Sequence, residues 1–245
     1  MLTQTEQLDL AETNTMFEKA PPQKIVEWTI EKWGDETVMT SSFGAESALM
    51  IHLAIQHKRD IKIIMVDTGY LFPETWQHME NLRKRFNLNV WVYRTKNDPI
   101  AWLREHGETD PTIRNDDKKC CAVNKEEPMT RAMLELHPKA WLRGIRGDQA
   151  DTRSTTRFVA WDARYNLYAV SPIRDWSTKQ IYQYMKQHDL PYHPLYEKGY
   201  LSIGCNPLSC TQAVVAGDDP RAGRWAGKAK VECGIHMGSL DSSQL

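Results

Sequence analysis

The stretch of sequence that decides the fold is IKIIMVDTG, residues 61–69. It is a nearly continuous apolar run that ends in Asp-Thr-Gly, which is typical of a buried parallel strand. Outward from it, helical and strand patterns alternate along the chain. This alternation predicts βαβ units and an α/β fold with a doubly wound, mostly parallel sheet. Helices are predicted over residues 21–33, 46–58, 73–86, 98–103, 126–137 and 177–189, and strands over 36–43, 61–69, 89–94, 140–146 and 166–173.

The composition is that of an ordinary globular protein. Of the 245 residues, 41% are hydrophobic, and 31 Lys and Arg against 32 Asp and Glu leave a formal net charge of -1. That balance argues against a strongly basic nucleic-acid-binding protein. No apolar stretch reaches the ~18 residues of a membrane helix, and the polar N-terminus lacks the features of a signal peptide. A cytoplasmic protein with no nucleic-acid or membrane partner is therefore expected.

The pattern of apolar residues changes twice along the chain, which predicts three segments. Residues 1–20 lack apolar periodicity and are predicted to be a loose N-terminal lead-in. Residues 21–200 carry the alternating pattern and are predicted to form a nucleotide-binding α/β domain. Residues 201–245 are dominated by Gly, Pro, Cys and Arg, which predicts an irregular C-terminal tail that folds over the domain.

Two predicted strands end in hydroxyl-bearing residues. The first strand runs into SSFGAES, residues 41–47, and then a helix, where free backbone N–H groups and the helix dipole favour a phosphate. The next strand ends in Asp67-Thr68-Gly69, and the carboxyl ends of such strands line the ligand crevice. The turn lacks the Gly-Lys-Ser/Thr of a Walker A loop and the glycines of a dinucleotide fingerprint. An ordinary βα turn therefore stays open for residues 41–47, as does a helix cap for Asp67.

The chain contains five cysteines: Cys120, Cys121, Cys205, Cys210 and Cys233. An odd number in a reducing compartment argues against a disulfide framework. Adjacent cysteines such as Cys120 and Cys121 rarely pair with each other, because the geometry is strained. Two interpretations remain: five incidental thiols, or four metal ligands and one reactive thiol.

Six motifs together carry a specific resemblance. In chain order they are SSFGAES, MVDTGYLFPET, KCC followed by Lys125, LRGIRGDQADTR, PLYEKGYLSIGC and ECGIH. In these motifs the chain resembles the assimilatory sulfonucleotide reductases, which are the adenylyl-sulfate and phosphoadenylyl-sulfate reductases, over roughly residues 35–238. The resemblance implies an adenine-nucleotide α-hydrolase-like (PP-loop) fold and the reduction of an activated sulfate to sulfite.

The resemblance also implies roles for individual residues. Cys233, in ECGIH, is the implied catalytic nucleophile that forms an S-sulfocysteine. The implied arginines suit bidentate contacts with oxyanions. Gly147 stands where the family usually has a second arginine, so one such contact is missing here. The full set of implied substrate-binding residues is Ser42, Phe43, Gly44, Ser47, Asp67, Thr68, Leu71, Lys125, Arg146, Arg221, Arg224 and His236.

Four cysteines match the cluster ligands of the iron–sulfur branch of the family. Cys120, Cys121, Cys205 and Cys210 are thereby implied to hold a [4Fe–4S] cofactor. Four thiolates also suit structural zinc, although zinc sites seldom use an adjacent pair. The second pair departs from the family, because its spacing is C-x₄-C where C-x₂-C is usual.

The favoured function is thioredoxin-dependent reduction of adenylyl sulfate to sulfite and AMP. Family members without the cluster cysteines generally use the 3′-phosphorylated nucleotide. The four cysteines, and the lack of Lys or Arg in residues 42–47 and 67–71, favour adenylyl sulfate by at least about tenfold in kcat/KM. Should the 3′-phosphorylated nucleotide be preferred, its cations are expected to come from Arg143, Arg153 or Arg157.

Three alternatives stay open. One is a phosphoadenylyl-sulfate reductase. Another is an ATP-dependent PP-loop adenylating enzyme, which typically carries Ser-Gly-Gly-x-Asp-Ser where this chain has Ser-Phe-Gly-Ala-Glu-Ser. The last is a non-enzymatic iron–sulfur or zinc-binding regulator, in which Cys233 would have no task. The expected partner is thioredoxin or a similar dithiol, and a homo-oligomer is left open.

Overall fold

The structure is a computed structural model that describes residues 8–96, 98–107, 117–149, 153–205, 210–214, 219, 221–226, 230 and 234–235. Two of the predicted site residues, Cys233 and His236, lie outside the described residues. No helix within these ranges has the length and apolar composition needed to cross a bilayer.

The strands of the described chain form one sheet in the order β3-β2-β1-β4-β6-β5. Every neighbouring pair is parallel except β5 and β6, which are antiparallel. The predicted α/β fold with a mostly parallel sheet is thereby confirmed. The strand bounds are β1 Thr37–Thr40, β2 Lys62–Asp67, β3 Asn89–Arg94, β4 Ala140–Leu142, β5 Val159–Asp162 and β6 Leu167–Val170.

Helices cover both faces of the sheet. Successive strand residues point to opposite faces and pack into two separate apolar clusters. Met39 of β1 packs into the cluster on one face, and the adjacent Val38 packs into the cluster on the other. Both residues are 1% exposed, as expected where helices shield both sides of a parallel sheet. The helices are α1 Leu10–Phe17, α2 Pro22–Trp33, α3 Ser47–His57, α4 Pro73–Phe86, α5 Pro99–His106, α6 Asp117–Cys121, α7 Glu127–Leu136 and α8 Thr178–Gln187; a π-helical turn, Ala122–Glu126, joins α6 to α7.

The bounds of two helices follow from local chemistry. Pro22 stands in the first turn of α2, where its missing N–H costs nothing, and Gly34 ends the helix with a positive φ of 48°. Ser177 caps α8 in a reciprocal capping box with Gln180. These are signals that the sequence alone displays, and both helices were predicted within two residues of their bounds.

α1 and β5 were not predicted, and they hold each other in place. Asn14 of α1 donates from Nδ2 to the carbonyl of Val159 (2.8 Å) and accepts from its N–H (3.1 Å). Phe17 packs edge-on against Trp28 with ring centroids 5.0 Å apart. α1 is held mainly by the amide of Asn14 and the ring of Phe17, so its sequence shows little apolar periodicity. This explains why residues 1–20 were predicted to be loose. The proposed boundaries at residues 20 and 200 stay predictions.

The strand order places a crevice between β1 and β4. From β1 the chain proceeds to β2 and β3 on one side, whereas β4, β6 and β5 lie on the other. Ligands of doubly wound sheets bind where the order reverses in this way, outside the carboxyl ends of the strands. The turn 41–46 after β1 and the segment 143–147 after β4 both open into this crevice.

Candidate active site

A cavity of about 290 Å³ lies at this crevice. It is lined by the turn after β1, the segment after β4, the π-helical turn, and two parts of the C-terminal region, 201–205 and 221–225. Folding thus brings together motifs that are far apart in the sequence. The predicted substrate-binding residues that line it are Ser42, Gly44, Ser47, Thr68, Leu71, Lys125, Arg146, Arg221 and Arg224.

The turn between β1 and α3 forms one wall of the cavity. Phe43 has a positive φ of 48° and is fully buried in the core, so its side chain anchors the turn instead of lining the cavity. Its N–H donates to the hydroxyl of Ser41 (3.1 Å). Glu46, at the N-cap of α3, makes no side-chain capping bond. An anion at this end of the helix would meet the positive end of the helix dipole, although the N–H groups of Ser47 and Leu49 already donate to the carbonyls of Gly44 and Glu46.

Two buried histidines, His78 and His193, contact this turn on the side away from the cavity. His193 donates its backbone N–H to the carbonyl of Ala45 (3.2 Å), and His78 Nε2 lies 3.5 Å from the hydroxyl of Ser47. The N–H of Leu195 donates to Nδ1 of His193, so the ring proton of His193 is on Nε2. The two rings lie 5.3 Å apart. Burial lowers the pKa of both His78 and His193 to about 4.

These depressed pKa values predict that acid destabilises the fold. Between pH 6.5 and about 4, the unfolded chain binds protons at His78 and His193 that the folded protein does not, so the free energy of unfolding falls as the pH falls. At pH 5 the loss is about 2 kcal/mol for each histidine. Urea unfolding at pH 7 and pH 5 measures it. His78→Gln should remove about half of this pH dependence, and His57→Gln, outside the pair, should leave it intact; equal pH dependence in all three proteins would contradict the prediction.

Cationic side chains form the opposite wall. Lys125 is only 8% exposed, and its Nζ lies 6.0 Å from the ring centroid of Trp225. The guanidinium of Arg224 lies 4.5 Å from the same centroid, and its Nε donates to the carbonyl of Cys210 (3.3 Å). Gly204 permits this packing, since a Cβ there would be 2.6 Å from a guanidinium nitrogen of Arg224. Two cations are thus held on one indole ring at the cavity.

Arg146 is buried at the same cavity with one polar atom unsatisfied. It is 5% exposed, its Nη1 donates to the hydroxyl of Thr178 (3.2 Å), and its Nη2 lies 3.6 Å from the carboxylate of Glu46. In the described structure its buried Nε has no hydrogen-bond acceptor. Burial raises the pKa of Glu46, although Arg146 opposes the shift. A buried guanidinium with an unused donor suits an anionic ligand.

Arg153 also lines the cavity. The sequence predicts a role for this residue only if the 3′-phosphorylated nucleotide is the preferred substrate. Arg153 is 8% exposed, and its Nη1 donates to the side chain of Gln149 (2.6 Å). Gly147 begins the short helical turn that precedes it, with its N–H bonded to the carbonyl of Arg174 (2.7 Å). Residue 147 is glycine and supplies no positive charge, but Arg153 supplies one at the same cavity.

Asp67, predicted to bind substrate, does not line this cavity. Its carboxylate, 4% exposed, accepts from Nε of Arg94 (2.6 Å) and from the N–H of Gly69 (2.9 Å). It lines a second cavity, of about 420 Å³, together with Arg94 and Asp98. Leu71 lines both cavities. The negative charge of Asp67 is therefore paired and does not oppose an anion in the first cavity.

The described cysteines lie in two pairs. Cys205 lines the cavity, and its Sγ is 3.4 Å from the hydroxyl of Thr68. A hydrogen bond with Cys210 lowers the pKa of Cys205 well below its usual range, with help from Lys125 and against the effect of burial. Cys120 accepts from Nδ2 of Asn124 (3.6 Å), and burial raises its pKa. Among the described residues, no three His, Cys, Asp or Glu side chains are grouped so that they could hold a metal ion.

Comparison with known proteins gives consistent matches. A family model for the phosphoadenosine phosphosulfate reductase domain matches residues 36–213. A phosphoadenosine 5′-phosphosulfate reductase of Xylella fastidiosa is 40% identical over 228 residues, covering 93% of this chain and 94% of that protein. A protein of the same name from Gloeobacter violaceus is 36% identical over 232 residues, covering 94% and 95%.

Solved structures show the same fold. The crystal structure of a phosphoadenylyl-sulfate reductase from Candida auris superimposes with a TM-score of 0.70 at 22% identity, covering 80% of this chain and 93% of that one. The FMN adenylyltransferase of Candida glabrata superimposes with a TM-score of 0.56 at 15% identity, covering 84% and 65%. The PP-loop type of fold implied by the motifs is confirmed.

The expected [4Fe–4S] cofactor is wrong. The relatives bear the name of the phosphoadenosine 5′-phosphosulfate reductases, the substrate class expected of members without a cluster. The described residues include no three His, Cys, Asp or Glu side chains grouped to hold a metal ion, and the Sγ atoms of Cys205 and Cys120 hydrogen-bond to Thr68 and Asn124. The relatives match nearly the whole chain at 36% to 40% identity. The chain therefore belongs to the phosphoadenosine phosphosulfate reductase family.

Proposed function

We propose that this chain reduces a sulfonucleotide to sulfite, with phosphoadenylyl sulfate as the preferred substrate and a thioredoxin-type dithiol as the electron donor. The observation that carries the proposal is the convergence of cations and a helix N-terminus on one cavity. The cations that line it are Lys125, Arg146, Arg153, Arg221 and Arg224. Glu46 is the one carboxylate among the described lining residues, and the guanidinium of Arg146, 3.6 Å away, offsets its charge.

The proposed chemistry uses Cys233 as the nucleophile. Its thiolate attacks the sulfur of the sulfo group, an S–S bond forms, and the S–O bond to the nucleotide phosphate breaks. The electron pair of that bond leaves with the nucleotide bisphosphate. Arginines at the cavity favour this step, because guanidinium groups form charge-assisted bonds with the oxyanions of the sulfo and phosphate groups.

Release of sulfite requires two electrons from the dithiol. One thiolate of the donor attacks the Cys233 sulfur of the S-sulfocysteine, and sulfite leaves with the electrons of the S–S bond. The second thiolate of the donor then attacks the mixed disulfide and restores the Cys233 thiolate. The substrate sulfur is reduced from the sulfate to the sulfite level while the donor becomes a disulfide. The names of the relatives support the reaction by analogy.

The 3′-phosphorylated nucleotide fits the charge of the cavity better than adenylyl sulfate does. The sequence analysis favoured adenylyl sulfate because residues 42–47 and 67–71 contain no cation. The structure adds Arg153 to the cavity wall and pairs Asp67 with Arg94, so the expected repulsion is reduced. The names of the relatives point to the same nucleotide.

Competition kinetics test this substrate choice. We expect kcat/KM for phosphoadenylyl sulfate to exceed that for adenylyl sulfate about tenfold, because one added charge-assisted bond contributes about 1.5–3 kcal/mol. Arg153→Gln should bring the ratio close to one and leave adenylyl sulfate turnover nearly unchanged. Arg157→Gln, an exposed arginine that does not line the cavity, is the matched control. A preference for adenylyl sulfate in the unaltered protein would refute the proposed substrate.

The same assay separates the reductase from an ATP-dependent adenylating enzyme of this fold. A reductase releases sulfite from the sulfonucleotide only when the dithiol is present, and it needs no ATP. Formation of pyrophosphate from ATP without sulfite release would support the adenylating enzyme instead.

A further inference from the structure

Arg164 is held rigidly at the edge of the sheet by a buried carboxylate. Asp162, the last residue of β5, has a side chain with no exposed area. Nε of Arg164 donates to its Oδ1 (3.0 Å) and Nη2 donates to its Oδ2 (2.7 Å). The guanidinium also lies 4.9 Å from the ring centroid of Tyr165. A bidentate pair on a buried carboxylate fixes the direction of the remaining N–H groups.

The N–H groups of Arg164 that do not bind Asp162 donate to the backbone of Gly234 and Ile235 in the C-terminal region. Nη1 of Arg164 donates to the carbonyl of Gly234 (3.2 Å), and Nη2 donates to the carbonyl of Ile235 (2.9 Å). These contacts join residues 70 and 71 positions apart in the chain. One side chain therefore ties two successive peptide carbonyls to the folded domain.

The backbone at this point accepts only glycine easily. Gly234 has a φ of +88°, a conformation that residues with a side chain rarely adopt. A Cβ there would also collide with the carboxylate of Glu126, in the π-helical turn. Ile235 packs against the apolar cluster that contains Trp141 and lines the candidate active-site cavity. Gly234 and Ile235 thus have a defined binding position at the edge of the cavity.

We propose that Arg164 is a positioning residue for sulfo transfer, which it serves by docking the segment that directly follows Cys233. The inference rests on the proposed function, in which Cys233 is the nucleophile. Gly234 is covalently bonded to Cys233, so the fixed carbonyls of Gly234 and Ile235 limit where the thiolate can go. A nucleophile must be held close to its target and in line with the breaking bond, and a misplacement of about 1 Å can cost about a hundredfold in rate.

A matched pair of variants tests the proposal. Arg164→Gln removes the contacts with Gly234 and Ile235. Arg131→Gln is the control. Arg131 also pairs with a carboxylate, that of Glu127, donates to one backbone carbonyl and lies over a tyrosine ring, but it makes no hydrogen bond with the described residues of the tail. In single-turnover experiments without reductant, we expect Arg164→Gln to form S-sulfocysteine at least about tenfold more slowly at saturating nucleotide.

Other readouts separate docking from loss of structure. The nucleotide Kd of Arg164→Gln should match that of Arg131→Gln, since neither Arg164 nor Arg131 lines the cavity. Its melting temperature should fall further than that of Arg131→Gln, because Asp162 has no exposed side-chain area and loses its partner, whereas Glu127 is partly exposed. Arg164→Lys should restore part of the rate, because a lysine can reach one of the two carbonyls. If Arg164→Gln does not fold, Gly234→Ala keeps the pair between Arg164 and Asp162 and disturbs only the binding position of Gly234 and Ile235, and it should show the same slow transfer.

The outcomes also distinguish this inference from the proposed function. If Cys233→Ser is inactive but Arg164→Gln and Gly234→Ala both transfer the sulfo group at the rate of the unaltered protein, the positioning role is refuted and the function stands. If Cys233→Ser still releases sulfite, the proposed function itself fails.

Discussion

Replacing Cys233 with serine is expected to reduce sulfite release by at least about a thousandfold, because a serine hydroxyl at neutral pH is a far weaker nucleophile than a thiolate. Nucleotide binding should persist, since the cations and the turn after β1 that line the cavity are untouched. Sulfite assays with a thioredoxin-type donor measure the first quantity, and calorimetry with the nucleotide bisphosphate measures the second.

The other cysteines provide an internal control for this experiment. After incubation with substrate and without reductant, mass spectrometry should find an added sulfo group on the peptide with Cys233. It should find none on peptides that carry the thiols buried in the fold, Cys121, Cys205 and Cys210. A sulfo group on Cys205, whose pKa is lowered and which lines the cavity, would identify a different nucleophile and overturn the assignment.

Replacing Arg224 with alanine is expected to lower kcat/KM about a hundredfold. Its guanidinium, held over Trp225 at the cavity, can form two charge-assisted bonds with the oxyanions of the substrate, and each contributes about 1.5–3 kcal/mol. Arg224→Lys should recover part of this loss, because it keeps the charge but not the bidentate geometry.

Arg85→Gln is the matched control for Arg224. Arg85 also lies over the ring of the next residue, Phe86, at 5.1 Å, and it pairs with the exposed Asp189 at 3.1 Å, away from the cavity. Its replacement should leave kcat/KM within about twofold and stability within about 1 kcal/mol. Equal activity of Arg224→Ala and Arg85→Gln would show that Arg224 does not contact the transferred group.

Local sequence patterns predicted most of the described helices and strands that frame the cavity. The apolar run of β2 and the capping residues of α2 and α8 are signals carried by neighbours in the chain. Two of the elements that were missed, α1 and β5, are held by the contact between Asn14 and Val159, which are 145 positions apart. Nothing within either segment displays that contact, because it exists only after folding.

The residues of the candidate site were likewise predicted only in part from the sequence. The family resemblance implied Lys125, Arg146, Arg221 and Arg224, and all four line one cavity. They also included Phe43 and Asp67, which the structure places in the apolar core and in an ion pair with Arg94. A motif records which residue types occur together in a family, whereas the direction of a side chain depends on the backbone φ and on its neighbours.

By itself, the sequence determined the order of most of the secondary-structure elements, the α/β class and the family. It did so because burial periodicity and short motifs are properties of residues close together in the chain. The tertiary structure alone decided which charges meet: Arg146 with Glu46, Asp67 with Arg94, and Arg164 with Asp162 and the C-terminal segment. It also decided the hydrogen bonds of the described thiols, which are those of Cys205 with Cys210 and Thr68 and that of Cys120 with Asn124. Apart from the local pairs of Arg164 with Asp162, Cys120 with Asn124 and Cys205 with Cys210, these contacts join residues 27 or more positions apart. Only the packing of the sheet and helices brings such distant groups within bonding distance.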